Sequence, residues 1–185
     1  MWLMIQARML KHNSIKLKMM HIFLIGYMGC GKSYWGKRLA DSLNFDFIDL
    51  DELIEKREGL SIPDIFKQFG EASFREREKS ALNSIKELEH PTVISTGGGV
   101  PCFHDNISKM KTMGKTLFLE ASPHILKQNI LKSDDVRPIV KAVPENELEA
   151  YIANHLKERL PFYQQAQIKA NVDGLELEAL IKLLG

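Results

Sequence analysis

The chain has 185 residues, enough for one α/β domain with a buried core, and its length gives no reason to divide it in two. Hydrophobic residues are 44% and charged residues 26%, the balance of a soluble globular protein, and a formal net charge of +1 argues against a nucleic-acid binder, which needs clustered surplus Lys and Arg. No apolar run approaches the ~18 residues that span a membrane. The two cysteines, Cys30 and Cys102, make no disulfide framework, so the expected setting is reducing and cytoplasmic.

Residues 1–18 carry Arg8, Lys11, Lys16 and Lys18 with no acid, and read as a disordered extension outside the fold. A single domain is expected over 19–185. Met20–Ile25 is a short apolar run bounded by glycines, the pattern of a buried strand. A helix is expected over Gly31–Leu43 and a second strand over Phe45–Asp49. Ser61-Ile-Pro-Asp64 starts a helix: the serine caps, the proline sits in the first turn and the acid faces the positive end. Phe74–Leu88 has Leu82, Ile85 and Leu88 at helical spacing. Thr92–Ser95 is a third strand, followed by three glycines, and Thr116–Glu120 is a fourth. Ile125–Leu131 reads as helix. Glu145–Arg159 is a long helix striped by Leu148, Ile152 and Leu156, with Pro161 expected to end or kink it. Ile168–Asp173 is a fifth strand and Leu175–Leu184 a last helix. Strands alternating with helices imply an α/β fold with a parallel sheet joined by right-handed crossovers. Lys132–Pro144 is polar and reads as the loop expected to move.

Gly26-Tyr-Met-Gly-Cys-Gly-Lys-Ser33 matches the phosphate-loop pattern G-x-x-x-x-G-K-[ST], with a strand before it and a helix after it. Glycines let the backbone curl until successive N–H groups point at one phosphate chain, and the helix N-terminus adds positive potential. Gly29, Cys30, Gly31, Lys32, Ser33 and Tyr34 are therefore the expected ATP-binding residues. Lys32 would bridge the β and γ phosphates, and the Ser33 hydroxyl would ligand Mg²⁺. This motif alone does not separate a kinase from an ATPase or a switch protein. An NTP hydrolase of the usual kind places an acid after a later strand. Here Val93-Ile-Ser95 runs into Thr96-Gly-Gly-Gly99 instead.

Asp49-Leu-Asp51 follows the second strand, and strand residues two apart share a face. One carboxylate there would stand near a metal while the other accepts a proton from an attacking hydroxyl. The competing reading is a helix start decorated with acids, Asp49 through Glu52. Arg75 and Glu78 fall on one face of their helix. Arg159 ends the long helix, and Arg137 lies in the polar loop. Guanidinium groups suit a carboxylate or a phosphate. The residues alone thus permit two acceptors, a carboxylated alcohol or a nucleoside monophosphate.

The ordered set Gly26–Ser33, Asp49-Leu-Asp51, Phe74-Arg75 with Glu78, Gly97-Gly98-Gly99, Arg137-Pro138 and Arg159-Leu-Pro-Phe-Tyr163 resembles the shikimate kinase family from about Met20 to the C-terminus. The resemblance implies a three-layer P-loop kinase fold with a five-stranded parallel sheet flanked by helices. It implies ATP with Mg²⁺, and phosphorylation of the shikimate 3-hydroxyl on the way to chorismate and aromatic amino acids. A monomer is expected, with shikimate and ATP as small-molecule partners and, from the charge and the lack of a spanning run, no nucleic-acid or membrane partner. The resemblance also implies an acceptor-binding region over 49–80 and a lid over 129–143. By position, Lys32, Asp51 and Arg137 would be catalytic, with Asp51 bonding the ring hydroxyls and acting as base. Asp49 would reach Mg²⁺ through water. Arg75 and Arg159 would clamp the shikimate carboxylate beside Gly97, Gly98 and Gly99. Arg137 would come in with the lid and stabilise the transferring phosphoryl group. The chain departs from the family near the adenine, where Lys127-Gln-Asn-Ile-Leu-Lys132 lacks the usual arginine and Lys127 or Lys132 would substitute. A kinase for gluconate or a nucleotide, and a nucleotide-gated binding module, are the alternatives.

Overall fold

The computed structural model describes residues 20–133 and 143–185. Five strands, β1 (His21–Ile25), β2 (Asp46–Asp49), β3 (Thr92–Ser95), β4 (Gly114–Glu120) and β5 (Ile168–Asn171), form one parallel sheet in the order β2-β3-β1-β4-β5. All five lie where the apolar runs place them. β1 and β3 are buried along nearly their whole length because both faces of a parallel sheet are covered. Phe23, Leu24, Val93, Ile94 and Leu117 are fully buried at its centre.

The helices are α1 (Lys32–Leu43), α2 (Leu50–Glu58), α3 (Ile62–Ser84), α4 (Asn106–Met113), α5 (Pro123–Lys132), α6 (Glu145–Tyr163) and α7 (Leu177–Leu184). Right-handed crossovers put α1 on one face of the sheet, where α7 packs beside it, and the connections β2–β3, β3–β4 and β4–β5 on the other. The expected three-layer arrangement is the one observed.

Four local expectations are corrected. First, α2 and α4 have no counterpart among the elements expected from the sequence. Each is short, and α2 buries only Leu50 and Ile54, too few positions to display a period. Second, the helix beginning after Ser61 runs on through Ser84 as α3, bent where Gly70 takes left-handed φ (75°). Ser61 caps it as expected, its hydroxyl accepting from the Asp64 N–H. Third, Pro161 does not end α6. The helix continues to Tyr163, and the Gln164 N–H still reaches the Leu160 carbonyl at 2.9 Å. Fourth, residues 129–132 of the expected lid belong to α5. Arg137 and Pro138 lie outside the described residues.

Candidate active site

The phosphate loop leaves β1 at Gly26 and enters α1 at Lys32. Gly29 and Gly31 adopt left-handed φ values of 82° and 86°, which a side chain would strain, and this curls the backbone onto the helix start. Lys32 is 9% exposed, and its ammonium donates to the carbonyls of Gly26 and Tyr27, each at 3.0 Å. The charge is thereby held over the loop. Cys30 Sγ lies 3.7 Å from the same ammonium, and burial pushes its thiol pKa up although Lys32 pulls the other way.

Asp49 answers to both readings of its acids. It is the N-cap of α2, accepting the Asp51 N–H at Oδ1 (3.0 Å). Its Oδ2 also accepts from the Ser33 hydroxyl at 2.6 Å, which in turn stands 3.3 Å from Ser95 Oγ. The strand register explains the meeting, since Asp49 pairs with Ser95 across β2 and β3. Helix capping therefore turns one acid toward the phosphate-loop hydroxyl and starts α2 with the other.

Two cavities adjoin here. The larger, about 700 Å³, is lined by the loop residues Gly29 to Tyr34 and, at its far end, by Ile125, Asn129 and the turn Val172–Gly174. The smaller, about 290 Å³, is lined by Glu52, Phe66, Phe74, Arg75, Gly99 and Arg159 among others. Met28, Ser33, Asp49 and Asp51 line both. The expected ATP residues Gly29 to Tyr34 thus collect around the larger space, and the expected acceptor residues Asp51, Arg75, Gly99 and Arg159 around the smaller.

Arg75 is nearly buried. Its Nη1 donates to Glu78 Oε2 at 2.7 Å, while Nη2 and Nε share Glu71 Oε1 at 2.7 and 3.2 Å. Burial alone would lower its pKa, but the Glu78 and Glu71 carboxylates outweigh that and raise it. Phe103 lies under its guanidinium at 4.3 Å. Arg159 rests over the Tyr27 ring at 5.7 Å.

The three glycines after β3 make room for these groups. A Cβ on Gly97 would stand 2.7 Å from Asp51 Oδ1 and 3.0 Å from Glu78 Oε1, and one on Gly98 would stand 3.3 Å from Arg159 Nη1. One on Gly99 would overlap the Arg75 guanidinium. The Gly98 carbonyl also accepts from the buried Tyr163 hydroxyl at 2.7 Å. Gly99 lines the smaller cavity directly, whereas Gly97 and Gly98 stand behind its walls.

At the far end of the larger cavity the expectation for the adenine region is corrected. Neither Lys127 nor Lys132 lines that space; Asn129 does, and its Nδ2 donates to the Gly29 carbonyl at 2.8 Å. The periodicity of α5 makes the choice. Lys127 and Asn129 flank the buried stripe of Leu126 and Ile130 on opposite sides, and the flank that meets the loop is that of Asn129. Sequence reasoning also missed Glu71, Tyr27, His155 and Tyr163. Each acts through a partner distant in sequence or through a charge pairing common on surfaces, so no local signal marks them.

A family model described as shikimate kinase matches residues 28–182. The chain belongs to the shikimate kinase family. It is 46% identical to the shikimate kinase of Bacteroides thetaiotaomicron over 158 residues, covering 85% of this chain and 90% of that one. Its fold superposes on a crystal structure of shikimate kinase from Bacteroides thetaiotaomicron with a TM-score of 0.84 at 42% identity, covering 89% of this chain and 98% of the other. The shikimate kinase of Acinetobacter baumannii, solved in complex with shikimate, is similar with a TM-score of 0.79 at 29% identity over 91% of this chain and 92% of the other. Among the described residues, no helix is long and apolar enough to cross a membrane.

Proposed function

We propose that this shikimate kinase family member transfers the γ-phosphoryl group of Mg·ATP to the 3-hydroxyl of shikimate, giving shikimate 3-phosphate and ADP. The observation that carries this reading is the content of the smaller cavity. It holds two guanidinium groups, Arg75 and Arg159, and also Asp51 and Ser33 from the wall it shares with the phosphate-loop cavity. A carboxylated alcohol satisfies both ends at once. Its carboxylate suits the arginines, and its hydroxyl is then offered to Asp51 at the boundary with the nucleotide space.

The chemistry is mainly positioning and electrostatics. The backbone N–H groups from Gly29 to Tyr34 cradle the phosphates, and Lys32 neutralises the bridging oxygens. Asp51 accepts the hydroxyl proton as the oxygen attacks phosphorus. Arg75 and Arg159 fix the acceptor by its carboxylate. The role of Arg137, opposite the transferring phosphoryl, rests on the family resemblance alone. Mg²⁺ fits the donor set, because Ser33 Oγ and Asp49 Oδ2 are hard oxygens at the shared wall and this ion keeps waters and phosphate oxygens as further ligands. When bound it would neutralise charge on the β and γ oxygens. Two free cysteines suit a reducing cytoplasm.

The test is ADP release by the purified protein with Mg·ATP, alone and with shikimate, gluconate or nucleoside monophosphates. Strong stimulation by shikimate only is the expected result. Turnover on another acceptor, with none on shikimate, would overturn the assignment of the smaller cavity.

A further inference from the structure

Tyr27 belongs to the phosphate loop, yet its side chain is buried, 1% exposed, on the acceptor side of that loop. Three contacts meet at this residue. Its carbonyl accepts from the Lys32 ammonium at 3.0 Å. Its ring lies under the Arg159 guanidinium at 5.7 Å. Its hydroxyl is 2.9 Å from Nδ1 of His155, with the two rings edge to face at 5.5 Å. His155 stands on α6 one turn before Arg159, so the two residues share a helix face and both reach Tyr27.

We infer that His155 is a positioning residue for the acceptor clamp: its neutral imidazole accepts the Tyr27 hydroxyl hydrogen bond at Nδ1 and so fixes the ring on which Arg159 rests. The inference depends on the shikimate kinase reading for what the clamp binds, but not for the Tyr27–His155 link itself. A buried tyrosine hydroxyl needs an acceptor, and His155 Nδ1 is the acceptor in place among the described residues.

Several charges surround the imidazole. Arg159, Glu158 and Tyr151 face it from its own helix, Glu71 and Arg75 from α3, and Tyr27 from the phosphate loop. Burial lowers the His155 pKa first and Arg159 lowers it further, against the opposite pull of Glu158 and Glu71. Burial also pushes the Tyr27 hydroxyl up to about 12, so it keeps its proton. At neutral pH the imidazole is uncharged and free to accept. Protonation in acid fills Nδ1, so the Tyr27 hydroxyl loses its acceptor, and it sets a cation beside Arg159 and Arg75. The ring then loses its fixed orientation and the clamp loosens.

The test follows the KM for shikimate and kcat at saturating Mg·ATP from about pH 8.5 down to about pH 4.5, because burial lowers the His155 midpoint below its ordinary value, in wild type, His155→Asn and His155→Leu. The Asn Oδ1 replaces the Nδ1 acceptor without titrating. A lost hydrogen bond corresponds to a change of about three- to tenfold in affinity. The expected result is a wild-type KM that rises by about that factor in acid, a raised KM at every pH in His155→Leu, and a low, pH-flat KM in His155→Asn. A wild-type KM in His155→Leu, or the same acid rise in His155→Asn, would overturn the inference. NMR titration of the His155 ring supplies a readout that needs no turnover. Tyr27→Phe removes a donor that favours the neutral ring, so the His155 midpoint should rise. An unmoved midpoint would overturn the link even in an active enzyme. Absence of shikimate-dependent ADP release in the wild type would remove the functional reading, and the NMR titration would then decide the link by itself.

Discussion

Gly99 leaves open the space that the guanidinium of Arg75 occupies: a Cβ at residue 99 would lie 2.8 Å from Arg75 Cζ. A methyl group there forces a nearly buried arginine, already tied to Glu71 and Glu78, to move within a packed wall. Displacing a binding group by about 1 Å can cost on the order of 10²-fold. Gly99→Ala should therefore raise the KM for shikimate by about tenfold or more while leaving the KM for ATP near wild type. Steady-state kinetics with each substrate varied separately checks this, and an unchanged shikimate KM would mean that Arg75 does not hold the acceptor.

Glu78 should matter to stability as well as to binding. It is 1% exposed and pairs with Arg75 at 2.7 Å. Removing one partner of a buried ion pair leaves the other charge desolvated, at a cost of about 3–5 kcal/mol. Glu78→Ala should unfold at a clearly lower urea midpoint than wild type. Glu71→Ala, whose side chain is 60% exposed, should shift it little. Equal midpoints for the two variants would contradict the burial argument.

Arg159→Ala should raise the shikimate KM strongly, since truncating one member of a desolvated charge pair costs roughly 2–5 kcal/mol. Arg159→Lys should recover only part of that loss, because an ammonium has neither the planar fork nor the flat face that rests on Tyr27. A lysine variant with wild-type KM would show that charge alone suffices.

The loop cation and its neighbouring thiol make a linked pair of predictions. Lys32→Met should lower kcat on the order of 10²–10³-fold or more, as loss of a preorganised transition-state donor does, with the circular dichroism spectrum retained. Wild-type turnover in that variant would refute the role given to Lys32. Cys30 should resist alkylation in the native protein near neutral pH, because burial holds its thiol protonated, whereas both cysteines should react after denaturation. Rapid native labelling of Cys30 would contradict the loop geometry.

The sheet was legible because β1 and β4 are short apolar runs and the half-polar strands β2, β3 and β5 are bounded by glycine, acid or turn residues. The phosphate loop was legible because its spacing encodes its own geometry. Asp49 and Asp51 were legible as a pair and, in the competing reading, as the acids of a helix start, but the nine-residue helix that follows was not, since LDELIEKRE offers few apolar positions to count. The three consecutive glycines stood out in the sequence, but the side chain that each one makes room for was not legible. Each is small because a different side chain, Asp51, Arg159 or Arg75, arrives from elsewhere in the chain. The same holds for His155, whose partner Tyr27 is 128 residues away, and for Asn129, whose place at the cavity depends on which face of α5 is buried.

The position of β1 also bears on how the protein is made. It is the first strand of the described chain and the middle strand of the sheet, yet its neighbours β3 and β4 begin only at Thr92 and Gly114. During synthesis β1 and the phosphate loop that follows it therefore have no strand to pair with until β3 has emerged through Ser95, and they gain their second neighbour only when β4 has emerged through Glu120. The apolar strand waits from Ile25 until Ser95 with no pairing edge on either side, and then with one edge open until β4 arrives. Such delayed, non-local pairing slows folding and leaves a sticky segment open to chaperones. Translation pauses placed soon after residue 50 should therefore be more harmful to yield than pauses placed after residue 120, when both neighbours of β1 are in place.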